Sequence, residues 1–124
     1  MKIKNIIVEI RPLETSLNEF KETYKKISSG KSVKKKELIS FESIEVMIKI
    51  LTPKRLGLLK LIKQKKPSSI YELAKLANRD SKSVNTDIKI LTDLGIIKSR
   101  ITENKRHSIM PHVNFDRIRL EIPI

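Results

Sequence analysis

SIYELAKLANRDSKSVNTDIKILTDLG, residues 69–95, is the stretch that decides how this 124-residue chain folds. It starts with Ser69 and, three residues on, Glu72, the spacing of a capping box, in which a hydroxyl and a carboxylate satisfy free amides of a helix's first turn. Ile70, Leu73, Ala74 and Ala77 then share one stripe, so a helix of barely two turns is expected. Asn78 and Arg79 make a short turn, and Asp80 or Ser81 can cap a second helix. In that helix Val84, Ile88, Leu91 and Leu94 recur at helical spacing, and Gly95 supplies a left-handed stop. Two short helices joined by about four residues, the second with a thin apolar stripe and a polar outer face, have the outline of a helix-turn-helix.

The flanks extend this outline. Upstream, Thr52 can cap a helix with Pro53 at its first position; Leu56, Leu59 and Ile62 mark its apolar face, and Pro67 ends it. Downstream, Ile96 to Thr102 is β-rich, Glu103, Asn104, Lys105 and Arg106 form a polar tip, and Ser108, Ile109 and Met110 return, which reads as a basic hairpin. Helix, short helix, polar-faced helix and hairpin in that order predict an α+β, mainly α fold: a winged helix-turn-helix over residues 52–113. It carries an N-terminal strand-helix extension (1–51) and a C-terminal strand (114–124).

In the extension, the β-branched run Ile3, Ile6, Ile7, Val8 and Ile10, closed by Pro12, predicts a strand. Ser16 and Glu19 form another capping box before Leu17, Phe20, Tyr24 and Ile27, a helical pattern stopped by Ser28, Ser29 and Gly30. Lys31 to Glu37 reads as a basic linker, with Lys34, Lys35 and Lys36 in a row, that either is a solvated connection, the slightly favoured reading, or grips phosphates. Ile44, Met47, Ile48 and Leu51 predict a short amphipathic helix ending at Thr52 and Pro53. At the other end Ile118, Leu120, Ile122 and Ile124 alternate with Arg117, Arg119, Glu121 and Pro123, a period-two strand. Three pairings are open to it: the N-terminal strand of its own protomer, a dimer interface, or a partner's sheet edge.

Charge narrows the partner. Twenty-seven Lys and Arg stand against fourteen Asp and Glu, a formal +13, and a field of that sign at this size calls for a polyanion. A Lys- and Ile-rich codon bias also raises the total, but residues 1–51 carry a net +4 and residues 52–124 a net +9, and bias alone favours neither half. The absence of Cys excludes disulfides, thiol nucleophiles and thiolate metal sites, and agrees with a cytoplasmic location. No run of about eighteen apolar residues exists, and no secretory cleavage site follows the N-terminal apolar run, so neither a membrane span nor export is expected. His107 and His112 are five residues apart without an acid or thiol cluster, Ser81 and Ser83 lack a helical His or a nucleophile elbow, and no Gly-rich phosphate loop occurs. No metal, no cofactor and no enzymatic activity are therefore expected.

The interface follows from the helical period. A recognition helix over residues 81–94 that buries Val84, Ile88 and Leu91 must direct Lys82, Ser83, Asn85, Thr86 and Lys89 outward, where a major groove receives them as base-contact residues. Asn85 suits adenine, Lys82 or Lys89 the acceptors of guanine, and the Thr86 methyl thymine. Lys75, Arg79, Ser81, Lys105 and Arg106 are assigned to the phosphate backbone, the last two from the wing. Each Lys alone reads better as a solvated surface residue; the shared face is what favours DNA. Asp87 and Asp93 are acids on that helix; Asp87 either pairs internally with a Lys or Arg, the favoured reading, or accepts from a cytosine amino group.

Ser40-Phe41-Glu42-Ser43, Leu51-Thr52-Pro53-Lys54-Arg55, Ser69-Ile70-Tyr71-Glu72-Leu73-Ala74, Arg79-Asp80, Val84 and Leu94-Gly95-Ile96-Ile97 together resemble predicted winged-helix regulators of the MarR-like superfamily, over about two-thirds of the chain. Phe115 to Ile122 is similar to the end of that group, some members of which sit beside toxin genes and are taken for antitoxins. The glycine usual in the wing tip of those proteins is replaced here by Glu103, Asn104 and Lys105. The resemblance implies a DNA-binding transcriptional regulator, and reading few base pairs per helix argues for a homodimer that represses its own operon. It also implies an alternative, an antitoxin that masks a cognate toxin. The charge alone leaves a third, a basic RNA-binding protein, although three Phe, two Tyr and no Trp disfavour base stacking.

Overall fold

A computed structural model describes residues 3–12, 38–101 and 109–124. The helix expected at Ser16 to Ile27, the linker at Lys31 to Glu37 and the wing tip, with Asn104, Lys105, Arg106 and His107, lie outside the described residues. The fold is α+β with more helix than strand, and its contacts fall into two units: residues 1–49 with 116–124, and residues 50–115.

The first unit is built on a three-stranded sheet. β1 (Asn5–Ile10) alternates half-buried and buried residues, with Ile6, Val8 and Ile10 inside, as a β-branched run on a half-covered sheet should. It is the central strand. On one side lies β2 (Leu38–Phe41), parallel, with Val8 beside Ile39 and Ile10 beside Phe41. On the other lies β5 (Arg117–Glu121), also parallel, with Ile6 beside Ile118 and Val8 beside Leu120. The C-terminal strand thus pairs with the N-terminal strand of its own protomer. Its entry is fixed by Asp116, whose amide donates to the Lys4 carbonyl at 2.7 Å and whose carboxylate accepts from the Lys4 amide at 2.9 Å.

α1 (Ile44–Ile50) follows β2, with the Ser43 hydroxyl accepting from the Val46 amide at 3.3 Å. The expected apolar stripe is present, yet no residue of this helix is buried, and Ile48 is 60% exposed.

The second unit packs three helices and a hairpin. α2 (Pro53–Lys65) has Thr52 as its N-cap, the hydroxyl accepting from the Arg55 amide, and Pro53 where a missing N–H costs nothing. It buries Leu58, Leu59 and Ile62, and here one expectation is corrected: Leu56 is 37% exposed and Leu58 takes its place inside. Leu56, Leu58, Leu59, Leu61 and Ile62 offer apolar side chains nearly all round the helix, so the stripe that packs is chosen by the helices it meets. α3 (Ile70–Ala77) buries Leu73 and Ala74, and α4 (Ser81–Asp93) buries Val84, Asp87, Ile88 and Leu91. Gly95, at φ +84°, turns the chain, and the amides of Ile96 and Ile97 both reach the Leu91 carbonyl, at 3.0 and 3.2 Å, sealing the end of α4. β3 (Lys98–Ile101) and β4 (Ile109–His112) then pair antiparallel, with Lys98 opposite His112 and Arg100 opposite Met110. The core joins Leu58, Leu73, Val84, Leu91, Ile96, Ile97 and Pro111, all essentially without exposure; each fully buried aliphatic side chain contributes about 1.5 to 3 kcal/mol.

Candidate nucleic-acid interface

The turn between α3 and α4 sets the geometry of everything around it. α3 begins at Ser69, whose hydroxyl accepts from the Glu72 amide at 3.0 Å. The Glu72 carboxylate does not close the expected box on the Ser69 amide; it takes the hydroxyl and amide of Ser68, at 2.5 and 3.2 Å, and these bonds hold its pKa below the ordinary value. α3 ends at Asn78, in the left-handed region at φ 52°, a conformation Asn tolerates better than most residues, and the Asn78 and Arg79 amides bond back to the carbonyls of Lys75 and Ala74. Asp80, extended, is the cap of α4. Its carboxylate accepts from the Lys82 and Ser83 amides at 3.0 and 3.2 Å and from the Ser83 hydroxyl at 2.6 Å. The Ser83 hydroxyl first, then the two amides, hold the Asp80 pKa below its ordinary value. Ser81 is the first residue of the helix and exposed.

With Val84, Ile88 and Leu91 inside, the residues between them stand in solvent: Lys82, Ser83, Asn85, Thr86 and Lys89 are all exposed. Two of the five have already spent their hydroxyl hydrogens. Ser83 donates to the cap, and Thr86 donates to the Lys82 carbonyl at 3.1 Å, which leaves its methyl as the part to offer an apolar partner. Lys82, Asn85 and Lys89 carry no such commitment among the described residues, and they supply ammonium and amide groups to one outward surface. Of the two acidic side chains of α4, Asp87 points inward and Asp93, four residues beyond Lys89, is exposed at the far end of the helix.

Asp87 is the one buried charged residue among those described, and it is held from both sides. Arg55 Nε lies 3.0 Å from one oxygen and an Arg79 terminal nitrogen 2.8 Å from the other. Arg55 also gives an N–H to the Ile50 carbonyl at 2.8 Å. The carboxylate thereby ties the start of α2 and the α3–α4 turn to α4. Arg79, expected at a phosphate, is half-buried with one arm on Asp87; its other terminal nitrogen is buried without a hydrogen-bond acceptor among the described residues. Arg79 therefore lies at the wall of an open groove of about 530 Å³ rather than out on the surface, with Tyr71, Lys75, Asn78, Asp80 and Ser81 around it.

Lys75 is exposed, and its ammonium stands 4.5 Å from the centre of the Tyr71 ring. Tyr71 and Asn78 are groove residues that the sequence pattern did not single out; the signal for Tyr71 was its position four residues before Lys75 on the outer side of the same helix. Lys105 and Arg106 lie outside the described residues. Among the described residues no three His, Asp or Glu side chains gather as metal ligands do, and no helix is long and apolar enough to cross a membrane.

No curated protein matches this sequence. A family model described as HVO_A0114 matches residues 50–120, from the end of α1 through α2, α3, α4 and the hairpin into β5. That match spans more than half of the chain, and the chain belongs to the HVO_A0114 family.

Proposed function

We propose that the chain is a sequence-specific DNA-binding transcriptional regulator, a MarR-like winged helix-turn-helix protein that lays α4 in the major groove of a duplex. The observation that carries this reading is the division of α4: Val84, Ile88 and Leu91 inside, Lys82, Asn85, Thr86 and Lys89 outside on one cationic and amide-bearing surface. A groove-reading helix needs that combination, since ammonium and amide groups meet base-edge acceptors and donors while the rigid apolar side fixes their register. The capped start of α4 and the exposed Lys75 and Ser81 beside it suit phosphates, and the hairpin β3–β4 takes the place of a wing. A homodimer reading a two-fold symmetric operator, acting as a repressor, completes the proposal, because one helix of 13 residues spans few base pairs. The reading assigns no reaction and no cofactor.

Footprinting on genomic fragments at fixed salt, followed by titration of the Lys82→Ala, Asn85→Ala, Thr86→Ala, Lys89→Ala quadruple variant, tests it. The variant should fold as the wild type does and lose its preference for the protected site. Undiminished affinity in that variant, or tighter binding of structured RNA than of duplex DNA at the same ionic strength, rules the reading out.

A further inference from the structure

We propose that the outer edge of β5 is a homodimer seam, in which the β5 strands of two copies run antiparallel with Leu120 opposite Leu120 of the second copy, joining two three-stranded sheets into one of six. This rests on, and deepens, the dimeric part of the preceding reading; it is independent of what the protein binds.

The strand order β2-β1-β5 leaves β5 at the edge, with no described strand on its far side. An edge presents unpaired N–H and C=O groups, and sheet proteins usually blunt it with inward charges, bulges or proline. Here Pro123 comes only after the strand, so it ends a ladder without preventing one. The register with β1 puts Ile118 beside Ile6 and Leu120 beside Val8, hence on the face that is buried over β1 and β2. That face is not covered at β5: Leu120 is 47% and Ile122 44% exposed. The apolar surface therefore runs out to an open edge.

The sequence of that edge is its own complement. Two antiparallel copies centred on Leu120 set Leu120 against itself, Ile118 against Ile122 twice, and Arg119 against Glu121 twice. Centring on Arg119 opposes two guanidiniums, centring on Glu121 opposes two carboxylates, and an odd offset puts apolar residues on opposite faces. Among these registers the one centred on Leu120 matches apolar with apolar and cation with anion from Ile118 to Ile122, with Arg117 falling opposite Pro123. The charges are also available: Arg119 and Glu121 are exposed and make no ion pair among the described residues. Glu9, the neighbour of Glu121 on β1, pairs instead with Arg11 at 2.7 Å. A strand from an unrelated partner has no reason to require this self-complementarity, whereas a second copy supplies it in full.

The chain has no cysteine, so single thiols can report the register. Directly opposed residues of an antiparallel pair have Cα atoms about 4.5 to 5.5 Å apart, within disulfide reach. Under mild oxidation Leu120→Cys should give a covalent dimer. Ile118→Cys should not, since its two thiols sit four residues out of register, roughly 13 Å apart, while Ile118→Cys combined with Ile122→Cys should. In sedimentation equilibrium the wild type should run at twice 14.4 kDa. Glu121→Arg should weaken the dimer about ten-fold, and adding Arg119→Glu should restore it.

Equal cross-linking at 118 and 120, or failure of the charge exchange to restore the dimer, overturns the seam. A wild type that stays at 14.4 kDa while still binding its operator overturns the seam and leaves DNA binding standing; a wild type that dimerises in this register but binds no duplex does the reverse.

Discussion

Arg79 donates an N–H to Asp87 across the α3–α4 turn at 2.8 Å, so the residue that begins as a candidate phosphate ligand is also a structural tie. The other carboxylate oxygen takes Arg55 at 3.0 Å, which makes Asp87 the single anion joining three helical segments. The Asp87 side chain is 11% exposed and Arg79 22%, enough water to screen the pair in part. Asp87→Ala leaves two cations facing each other without their shared anion and, discounted for that screening, should cost about 2 to 3 kcal/mol, at or below the bottom of the range of about 3 to 5 kcal/mol for breaking a fully buried pair. Urea denaturation measures it. A cost within a few tenths of a kcal/mol of zero shows that the tie contributes nothing.

The two glycines among the described residues should respond with opposite signs to alanine. At both, an added Cβ meets nothing within 4 Å, so sterics from neighbours drop out and the backbone decides. Gly95 sits at φ +84°, where an L side chain is strained, and Gly95→Ala should destabilise by about 1 to 2 kcal/mol. Gly57 lies in the middle of α2, and Gly57→Ala should stabilise by about 0.5 to 1 kcal/mol. Melting temperatures of the pair check both; a shift of the same sign in each defeats the account.

Much of the second unit was legible because its signals are local. Thr52, Ser69 and Gly95 are chosen by the backbone of their own turn, so spacing alone places them, whereas the cap of α4 was narrowed to Asp80 or Ser81 and the structure selects Asp80. The outward set on α4 followed from a clean apolar stripe at Val84, Ile88 and Leu91 for the same reason. β2 was missed because its pairing is parallel and distant: four residues, Leu38 to Phe41, carry too short an alternation to show, and what makes them a strand is β1, some thirty residues earlier. Leu58 was passed over for Leu56 because α2 is apolar on too many sides for its own pattern to choose. The partner of Asp87 was foreseen only as a class, since neither Arg55 nor Arg79 lies on α4, and the distance that matters is through space.

Acid should find the two exposed carboxylates at the helix starts, the Asp80 cap and Glu72 in the first turn of α3. Asp80 is held below its ordinary 3.8, chiefly by the Ser83 hydroxyl, and Glu72 below its ordinary 4.5, chiefly by the Ser68 hydroxyl. In each case the native state binds the ionised form more tightly than the unfolded chain does. The resulting stabilisation is whole above the ordinary value and lost as pH falls below it, toward the folded titration. Between pH 7 and 5 these groups should therefore leave the melting temperature flat, and below 4.5 it should drop. Asp80→Asn with Glu72→Gln keeps acceptors without charge and should show a shallower acid decline. An identical decline in variant and wild type places the acid sensitivity elsewhere.

Two substitutions at the proposed interface should separate positioning from reading. Lys75 is exposed beside the groove at the α3–α4 turn, and its ammonium offers a charge and no base pattern. Lys75→Ala should weaken every duplex alike and lower the slope of log affinity against log salt by about 0.9, the release of one counterion. Asn85, on the outer face of α4, is uncharged and can bond a base edge through two groups at once. Asn85→Ala should cost about 1 to 3 kcal/mol on the preferred operator, leave the salt slope unchanged and hardly alter binding to unrelated duplex. Titrations at three salt concentrations with the footprinted site and a scrambled one carry both signatures. If Asn85→Ala weakens both duplexes equally, α4 holds the backbone rather than the bases, and the assignment of its outer face to sequence reading fails even though DNA binding stands.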